Sequence, residues 1–383
     1  MINSPYLTEA HEELRQQVRA FAEKEIRPVA AELDEGEIFS TELTARMGEM
    51  GYFGIQAPKE LGGQGLDTLS YIIIVEELAR IDSSQAATVA AVNSLAIAPI
   101  LKYGTEEQKK RLIPPLCTGK MTWAFGLTEE NAGSDAMGSE TTAHLEDGYW
   151  IINGSKMHIT NAASEISGGV TVQAVTGESK GRKKLSAIIV ERGTPGFTFE
   201  RMTGKMMWRA SDTGRLFFKD CKVPASNLLG EEGHGGRIML NTLDSGRLSI
   251  AAVGLGLARG AMEASIEHAK NRVQFGQPIS KFQAVGFKLA DMDIKIELAR
   301  NTLYNACWRK DNNMQFAREA AISKLYTSEI AREIADEAVQ VHGATGLFKP
   351  HPVERFYRDQ RLLQIGEGTS EILRLVISRY LGL

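Results

Sequence analysis

Four short stretches of this 383-residue chain concentrate side chains able to do chemistry. The first, Phe125-Gly126-Leu127-Thr128-Glu129-Glu130-Asn131-Ala132-Gly133-Ser134-Asp135, gathers hydroxyls, small residues and open backbone donors. Such a loop can hydrogen-bond a planar heterocycle or a phosphate, and taken alone it is equally an ordinary turn. The second is Gly154-Ser155-Lys156-Met157-His158-Ile159-Thr160-Asn161. The third, Arg272-Val273-Gln274-Phe275-Gly276 followed by Phe282-Gln283, combines a guanidinium with amide and aromatic groups. The fourth runs from Tyr357-Arg358-Asp359 to Gln364-Ile365-Gly366-Glu367-Gly368-Thr369-Ser370-Glu371-Ile372, where one carboxylate sits between two glycines.

Other candidates fall away on spacing. Gly254-x-Gly256-x-x-x-Gly260 imitates a phosphate loop, but it follows no strand pattern and lacks the dinucleotide-fingerprint spacing. Small residues that let neighbouring helices approach closely are the better account. The seven histidines are scattered with no His-x-x-x-His pair, so no metal is expected. No Gly-x-Ser-x-Gly elbow is present, which argues against a hydrolase. Lys plus Arg total 44 against 48 Asp plus Glu, a formal charge of −4 that leaves no basic surplus for nucleic acid. Cys117, Cys221 and Cys307 stand far apart, which disfavours a disulfide framework and fits a reducing compartment. Met1 to Leu14 carries Glu9, Glu12 and Glu13 and lacks a basic start followed by an apolar run. No stretch of about 18 uncharged apolar residues stands out. The expectation is a cytoplasmic protein without membrane insertion.

The elements that must position these segments fall in three zones. Over about 1–120 the apolar spacing is helical: Leu14, Val18, Phe21 and Ala22 share one face, and Pro28 should kink or end that helix. A loop is expected at Leu61-Gly62-Gly63-Gln64-Gly65, then helices over Leu69–Ala79 and from Ser84 toward Tyr103, the latter broken at Pro99. Over about 121–230 the period shortens. Asp147-Gly148 marks a hairpin within His144–Ile152, which Gly154–Asn161 closes, and Val170–Val175, Leu185–Val190 and Leu216–Lys219 read as strands. Several short strands predict a small sheet packed on itself as a barrel or sandwich. From about 231 the pattern is helical again, over Ile238–Arg272, Phe282–Lys310, Phe316–His342 and Ser370–Tyr380.

Taken in order, the four segments resemble those of the acyl-CoA dehydrogenase family, and the α–β–α zoning is similar to that family's three domains. The resemblance covers essentially the whole chain. It implies a mixed α and β fold with an N-terminal α-helical domain (1–120), a middle β-barrel or sandwich domain (121–230) and a C-terminal four-helix bundle (231–383). It also implies tightly bound FAD, an acyl-CoA substrate, and α,β-dehydrogenation to the trans-2-enoyl-CoA. The usual assembly is a homotetramer, a dimer of dimers, reoxidised by electron-transfer flavoprotein.

Under that resemblance Glu367 is the base that takes the α-proton while the β-hydride passes to flavin N5. The thioester oxygen accepts hydrogen bonds from the Glu367 backbone N–H and an FAD ribityl hydroxyl. A thioester α-proton is weakly acidic, so a positioned base and a stabilised enolate are required. Glycines on both sides permit close approach, and burial beside an acyl chain would raise the carboxylate's pKa toward the working pH. The ordinary alternative is a solvated Glu at a helix N-terminus ahead of Thr369. Some family members carry the base on the long helix, where the comparable position here is Gly246. Asp244 and Arg247 resemble a pair that orients the CoA moiety, a helix-surface ion pair being the alternative. Ser134, Gly366 and Gly368 are further substrate contacts. For FAD the resemblance assigns Phe125, Leu127, Thr128, Gly133 and Ser134 to the flavin loop, with His158, Ile159 and Thr160 lining the ring. Arg272, Phe275, Gln283, Gln340, Val341 and Gly343 would hold the adenosine diphosphate part across a subunit interface. The planar fork of Arg suits a pyrophosphate. Thr369 and Glu371 complete the set.

Departures from the family pattern carry further expectations. His158 stands where an aromatic residue commonly stacks near the flavin, and Ala344-Thr345 interrupts a usual Gly-Gly-Tyr-Gly run. Gly366 replaces a Tyr found in short straight-chain members, opening space of about one aromatic ring. That predicts a branched, cyclic or aromatic acyl group over butyryl. No Arg lies between Ser83 and Lys102, where glutaryl-type members bind a second carboxylate, so a dicarboxylic substrate is disfavoured. An enoyl-CoA reductase, an acyl-CoA oxidase, or a non-catalytic flavin- or CoA-binding protein remain competing readings.

Overall fold

The computed structural model describes residues 4–383, so the reading of Met1–Leu14 falls partly outside the described residues. Seven helices come first: α1 (Glu9–Phe21), α2 (Ala30–Gly36), α3 (Thr41–Glu49), α4 (Thr68–Ala79), α5 (Ser83–Ala91), α6 (Ala98–Tyr103) and α7 (Glu106–Cys117). Thr8 caps α1 in a reciprocal pair with His11, satisfying amides that the first turn leaves free. After a π-turn over Ala22–Ile26 the helix stops just before Pro28, as expected.

Pro99 does not break its helix. A π-turn over Val92–Ile97 lies between α5 and α6, and Pro99 falls in the first turn of α6, where a missing N–H costs little. The continuous run Ser83–Tyr103 is therefore 21 residues long and, by length and composition, apolar enough to cross a bilayer. This corrects the sequence expectation that no such stretch exists. It lies in the protein core, with most of its residues buried.

The strands follow: β1 (Thr122–Gly126), β2 (Thr142–Glu146), β3 (Tyr149–Thr160), β4 (Ser167–Ser179), β5 (Arg182–Glu191), β6 (Phe197–Arg201), β7 (Thr213–Pro224) and β8 (Leu228–Leu229). They form one sheet in the order β6-β7-β3-β2-β4-β5-β8, with β1 pairing parallel to β4. The β2–β3 hairpin turns at Asp147 (φ 48°) and Gly148 (φ 80°), the left-handed pair that a two-residue turn demands. Gly154–Asn161 does not close that hairpin. Residues up to Thr160 are the second half of β3, which runs on along β7 with register shifts at Ile152/Gly154 and Lys156/Ile159. Inward residues of six strands, among them Trp150, Ile152, Val172, Ile188 and Phe218, form one core cluster, so the sheet packs upon itself.

The last zone holds α8 (Gly235–Asn271), a small hairpin of β9 (Val273–Gln274) and β10 (Gln277–Pro278), α9 (Gln283–Asp311), α10 (Ala317–His342), α11 (Pro352–Asp359) and α12 (Ser370–Tyr380). The glycine-rich run of α8 is an approach surface and no phosphate loop. A Cβ on Gly256 would lie 2.2 Å from the Glu76 carbonyl oxygen, and one on Gly260 2.2 Å from that of Arg80. Where α8 crosses α4, charges are buried between the first and last zones. Arg259 reaches Glu76 at 2.6 Å and Glu77 at 2.7 Å, Arg15 reaches Glu77 at 2.9 Å, and the Tyr304 hydroxyl donates to Glu76 at 2.6 Å. Each carboxylate is sealed from water yet held ionised by its guanidinium neighbours.

Candidate active site

The fourth segment builds the centre. After a 3₁₀ turn over Gln360–Gln364, Glu367 (φ 52°) and Gly368 (φ 98°) both take left-handed backbone conformations. That geometry is unfavourable for a glutamate, and such strain concentrates where a side chain must be aimed. Thr369 then caps α12, its hydroxyl accepting the Ile372 N–H at 3.2 Å. The turn directs the Glu367 carboxylate inward, against α8, and the solvated helix-end alternative is excluded. The residue as a whole is half-buried, but Oε2 is sealed and has no hydrogen-bond partner. A Cβ on Gly246 would fall 2.0 Å from that oxygen. Only a residue without a side chain leaves room for it.

Burial is the largest influence on this carboxyl and pushes its pKa up to about 7, while Lys324 and Arg247 pull it back. Lys324, on α10, is fully buried, and its ammonium donates to the Gly368 carbonyl at 2.6 Å. Burial lowers the Lys324 pKa to about 8. Next to Gly246 on α8, Arg247 pairs with Asp244, one turn back, at 2.5 Å. Arg247 is buried, and burial raises the Asp244 pKa, so the surface ion-pair alternative does not hold.

The first and second segments meet at the end of β1. Phe125 lies in the strand and is buried, whereas Gly133 and Ser134 are exposed. The Met157 N–H donates to the Thr128 carbonyl at 3.0 Å. Below this contact the fully buried Lys156 donates to Glu129 at 2.6 Å, to the Leu127 carbonyl at 3.2 Å and to Ser139 at 3.3 Å. Glu129 in turn accepts the N–H groups of Glu140 and Thr141, at 2.7 and 3.1 Å. On the β3 side His158 is exposed with φ 59°, lifted by the bulge, while Ile159 is buried and Thr160 half-buried.

Just past β3, Asn161 is buried with both side-chain polar atoms unpartnered, and the Ser164 hydroxyl and Trp208 indole N–H are likewise buried and unpaired. Asp212 holds these pieces together, taking the Ala163 and Ser164 N–H groups at 2.8 and 2.9 Å. Buried polar atoms without partners are costly, and a polar heterocycle seated beside Ile159 and Thr160 is the kind of group that satisfies them. The residues present therefore fit the flavin that the resemblance implies.

The third segment is placed differently. Arg272, Gln283, Gln340 and Gly343 are exposed, and Phe275, at the tip of the β9–β10 hairpin with φ 49°, is 93% exposed. Among the described residues no backbone hydrogen bond ties this group to Phe125–Thr160. Val341 is buried in the core, leaving its main chain for any cofactor contact. Glu371 is exposed on the first turn of α12. Arg358 and Asp359, also singled out in the sequence, act as tethers: Arg358 pairs with Asp34 at 2.6 Å, and Asp359 accepts the Trp208 N–H at 2.7 Å.

Sequence reasoning missed Lys324, the Lys156–Glu129 pair and Asn161 as site residues. Lys324 was detectable: it lies on the Ala320, Thr327, Ala331 stripe of α10, a cation on a face otherwise made of small buried residues.

Three family profiles match the chain in order: acyl-CoA dehydrogenase, N-terminal domain, over residues 8–120; middle domain, over 124–221; and C-terminal domain, over 233–382. The probable acyl-CoA dehydrogenase YngJ of Bacillus subtilis (strain 168) is 47% identical over 376 residues, 98% of either chain. The structure of butyryl-CoA dehydrogenase from Megasphaera elsdenii superposes with a TM-score of 0.95 at 41% identity, covering 100% of both chains. A chain from a study of the electron transferring flavoprotein of Acidaminococcus fermentans matches with a TM-score of 0.95 at 43% identity, covering 99% of both.

Proposed function

Because the chain belongs to the acyl-CoA dehydrogenase family, FAD-dependent oxidoreductases that dehydrogenate acyl-CoA, we propose that Glu367 is the base that removes the α-proton of the thioester. The single observation that carries this is a sealed carboxylate, without a hydrogen-bond partner, pressed against Gly246 and half-protonated near pH 7. A base whose pKa lies near the working pH combines a useful ionised fraction with a strong pull on the proton. Bound FAD supplies the hydride acceptor. The chain's own residues do the rest: the left-handed turn aims the carboxylate, the apolar packing excludes water, and the Asp244–Arg247 pair orients the CoA end. Phe125–Thr128 and His158–Thr160 line one side of the flavin, with Gly133 and Ser134 at the mouth. Arg272, Phe275, Gln283, Gln340 and Gly343, with the main chain of Val341, serve the cofactor of a neighbouring copy, which explains the exposure of the first five.

For the acyl group we favour a short chain. The Megasphaera structure is of a butyryl-CoA enzyme, and neither relative named above supports the branched, cyclic or aromatic preference expected from Gly366. A Cβ at Gly366 would sit 3.4 Å from Leu362 Cδ1, an ordinary contact, so Leu362 already lines the place that a larger side chain would leave. Electron-transfer flavoprotein is the proposed acceptor, by analogy with the Acidaminococcus study. Exposed Phe287, Ile294 and Leu298 form an apolar stripe along α9, which together with Phe275 favours burial in a homotetramer. The change of element type after Cys117 and after Leu229 supports domains of 1–120, 121–230 and 231–383. Three free buried cysteines suit the cytoplasm.

Anaerobic titration of the yellow protein with straight, branched and cyclic acyl-CoAs, followed by flavin absorbance, tests the reading. Butyryl-CoA should bleach the flavin fastest, and Glu367→Gln should keep the spectrum but lose the bleaching. Retained turnover in that variant would remove Glu367 from the role.

A further inference from the structure

A strained two-residue turn between a 3₁₀ segment and a helix does not hold its direction unaided, and here one buried group grips it. The Lys324 ammonium donates 2.6 Å to the carbonyl of Gly368, the residue that follows Glu367 and shares its left-handed conformation. Lys324 is 0% exposed, and the one hydrogen bond its ammonium makes among the described residues is this one. An ammonium taken out of water at that cost needs compensation, and the nearby Glu367 carboxylate provides it. We propose that Lys324 is the positioning residue for Glu367: its hydrogen bond fixes the turn that aims the carboxylate at Gly246, and its charge keeps that carboxylate ionisable out of water.

The groups around the pair determine what a substitution does. Arg247 on α8 also favours the ionised carboxylate, whereas the Tyr71 hydroxyl on α4 is neutral and donates to the Ala90 carbonyl at 2.8 Å. Glu329 on α10 and Glu371 on α12 both favour the charged ammonium. Glu329 is occupied by Ser370 at 2.7 Å and Gln364 at 2.9 Å, and Glu371 is exposed. Removing the Lys324 charge therefore leaves Arg247 as the one remaining cation acting on Glu367, and its fork is already shared with Asp244. Desolvation then dominates, and Glu367 ionises only at higher pH.

Two substitutions separate bond from charge. Lys324→Gln keeps an N–H donor for Gly368 without charge, and Lys324→Met removes both. The direct readout is the infrared carboxyl band of Glu367 in the FAD-loaded enzyme, isolated by subtracting the Glu367→Gln spectrum and titrated from pH 5 to 9. This does not require turnover, so it stands or falls separately from the proposed reaction, on which only the catalytic consequence of the positioning rests. Both variants should move the band's midpoint upward by at least one pH unit from the parent's, about a tenfold smaller ionised fraction on the acid side. In the flavin-reduction assay Lys324→Gln should approach the parent rate at high pH, while Lys324→Met should plateau lower because the turn is released. A midpoint unchanged in either FAD-loaded variant would overturn the proposal. So would a Lys324→Met plateau equal to that of Lys324→Gln.

Discussion

Placing a methyl group on Gly246 tests whether the base is confined as described. The added Cβ would lie 2.0 Å from Glu367 Oε2 and 3.0 Å from its Cδ. Ordinary contact begins near 3.4 Å, so the oxygen must recede by 3.4 − 2.0 = 1.4 Å. It is the far end of a flexible side chain, so the retreat costs the fold little. A Gly→Ala change within a helix is itself favourable by about 1 kcal/mol. Catalysis responds differently, because displacing a reacting group by about 1 Å can cost on the order of 100-fold in rate. That corresponds to about 2.7 kcal/mol of activation free energy. Gly246→Ala is expected to hold FAD, to melt no earlier than the parent, and to be reduced by acyl-CoA about 100-fold more slowly in anaerobic stopped flow. A reduction rate within threefold of the parent would refute the confinement argument. A large drop in melting temperature would show that the backbone, and not the carboxylate, gave way.

Further consequences can be checked alongside. Glu367 titrates near 7 in the fold against about 4.5 unfolded, so the native state binds the extra proton and stability falls as pH rises through that window. Glu367→Gln removes this cost and should stabilise the protein by up to about 3 kcal/mol at pH 8 and by little at pH 4, read from denaturant midpoints. For the parent, the rate of flavin reduction should rise tenfold per pH unit below about 7 and level off above it, as expected when the deprotonated carboxyl acts. Lys156→Met strands the buried Glu129 and should cost about 3–5 kcal/mol, with loosened FAD retention; adding Glu129→Gln should recover much of the melting temperature. Gly256→Ala drives a methyl group into the Glu76 carbonyl, which cannot swing aside, and should destabilise by about 1–3 kcal/mol in thermal melts.

Much of the architecture could be read from pattern. The α8 glycines, the Asp147-Gly148 turn and the last four long helices follow from spacing and backbone preference, which act locally. The proline at 99 was misread because a lone Pro signals a break only if the helix cannot widen, and the π-turn at Val92–Ile97 is set by packing. β1 escaped notice because Thr122-Trp123-Ala124-Phe125-Gly126 is buried on both faces and shows no alternation. At the site, Glu367 stood out by its flanking glycines, but its neighbours did not. Lys324 lies 44 residues from Gly368 along the chain and reaches it only after α10 has packed beside the turn. The substrate expectation built on Gly366 shows the same limit: a missing side chain reveals space, and the shape of that space belongs to residues such as Leu362.

The buried charges between α4 and α8 bear on how this polypeptide is made. Glu76 leaves the ribosome 183 residues before Arg259, its closest cation. Until then the nascent helices carry two adjacent acids on the surface that must later vanish into the interior, with Arg15 and Arg19 as their early company. A product ending after α7 would keep Arg15 and Arg19 beside Glu77 but lack Arg259. The strands, with a core cluster of their own, lie as an insertion between the two pieces, whose buried charges pair only once α8 has been made.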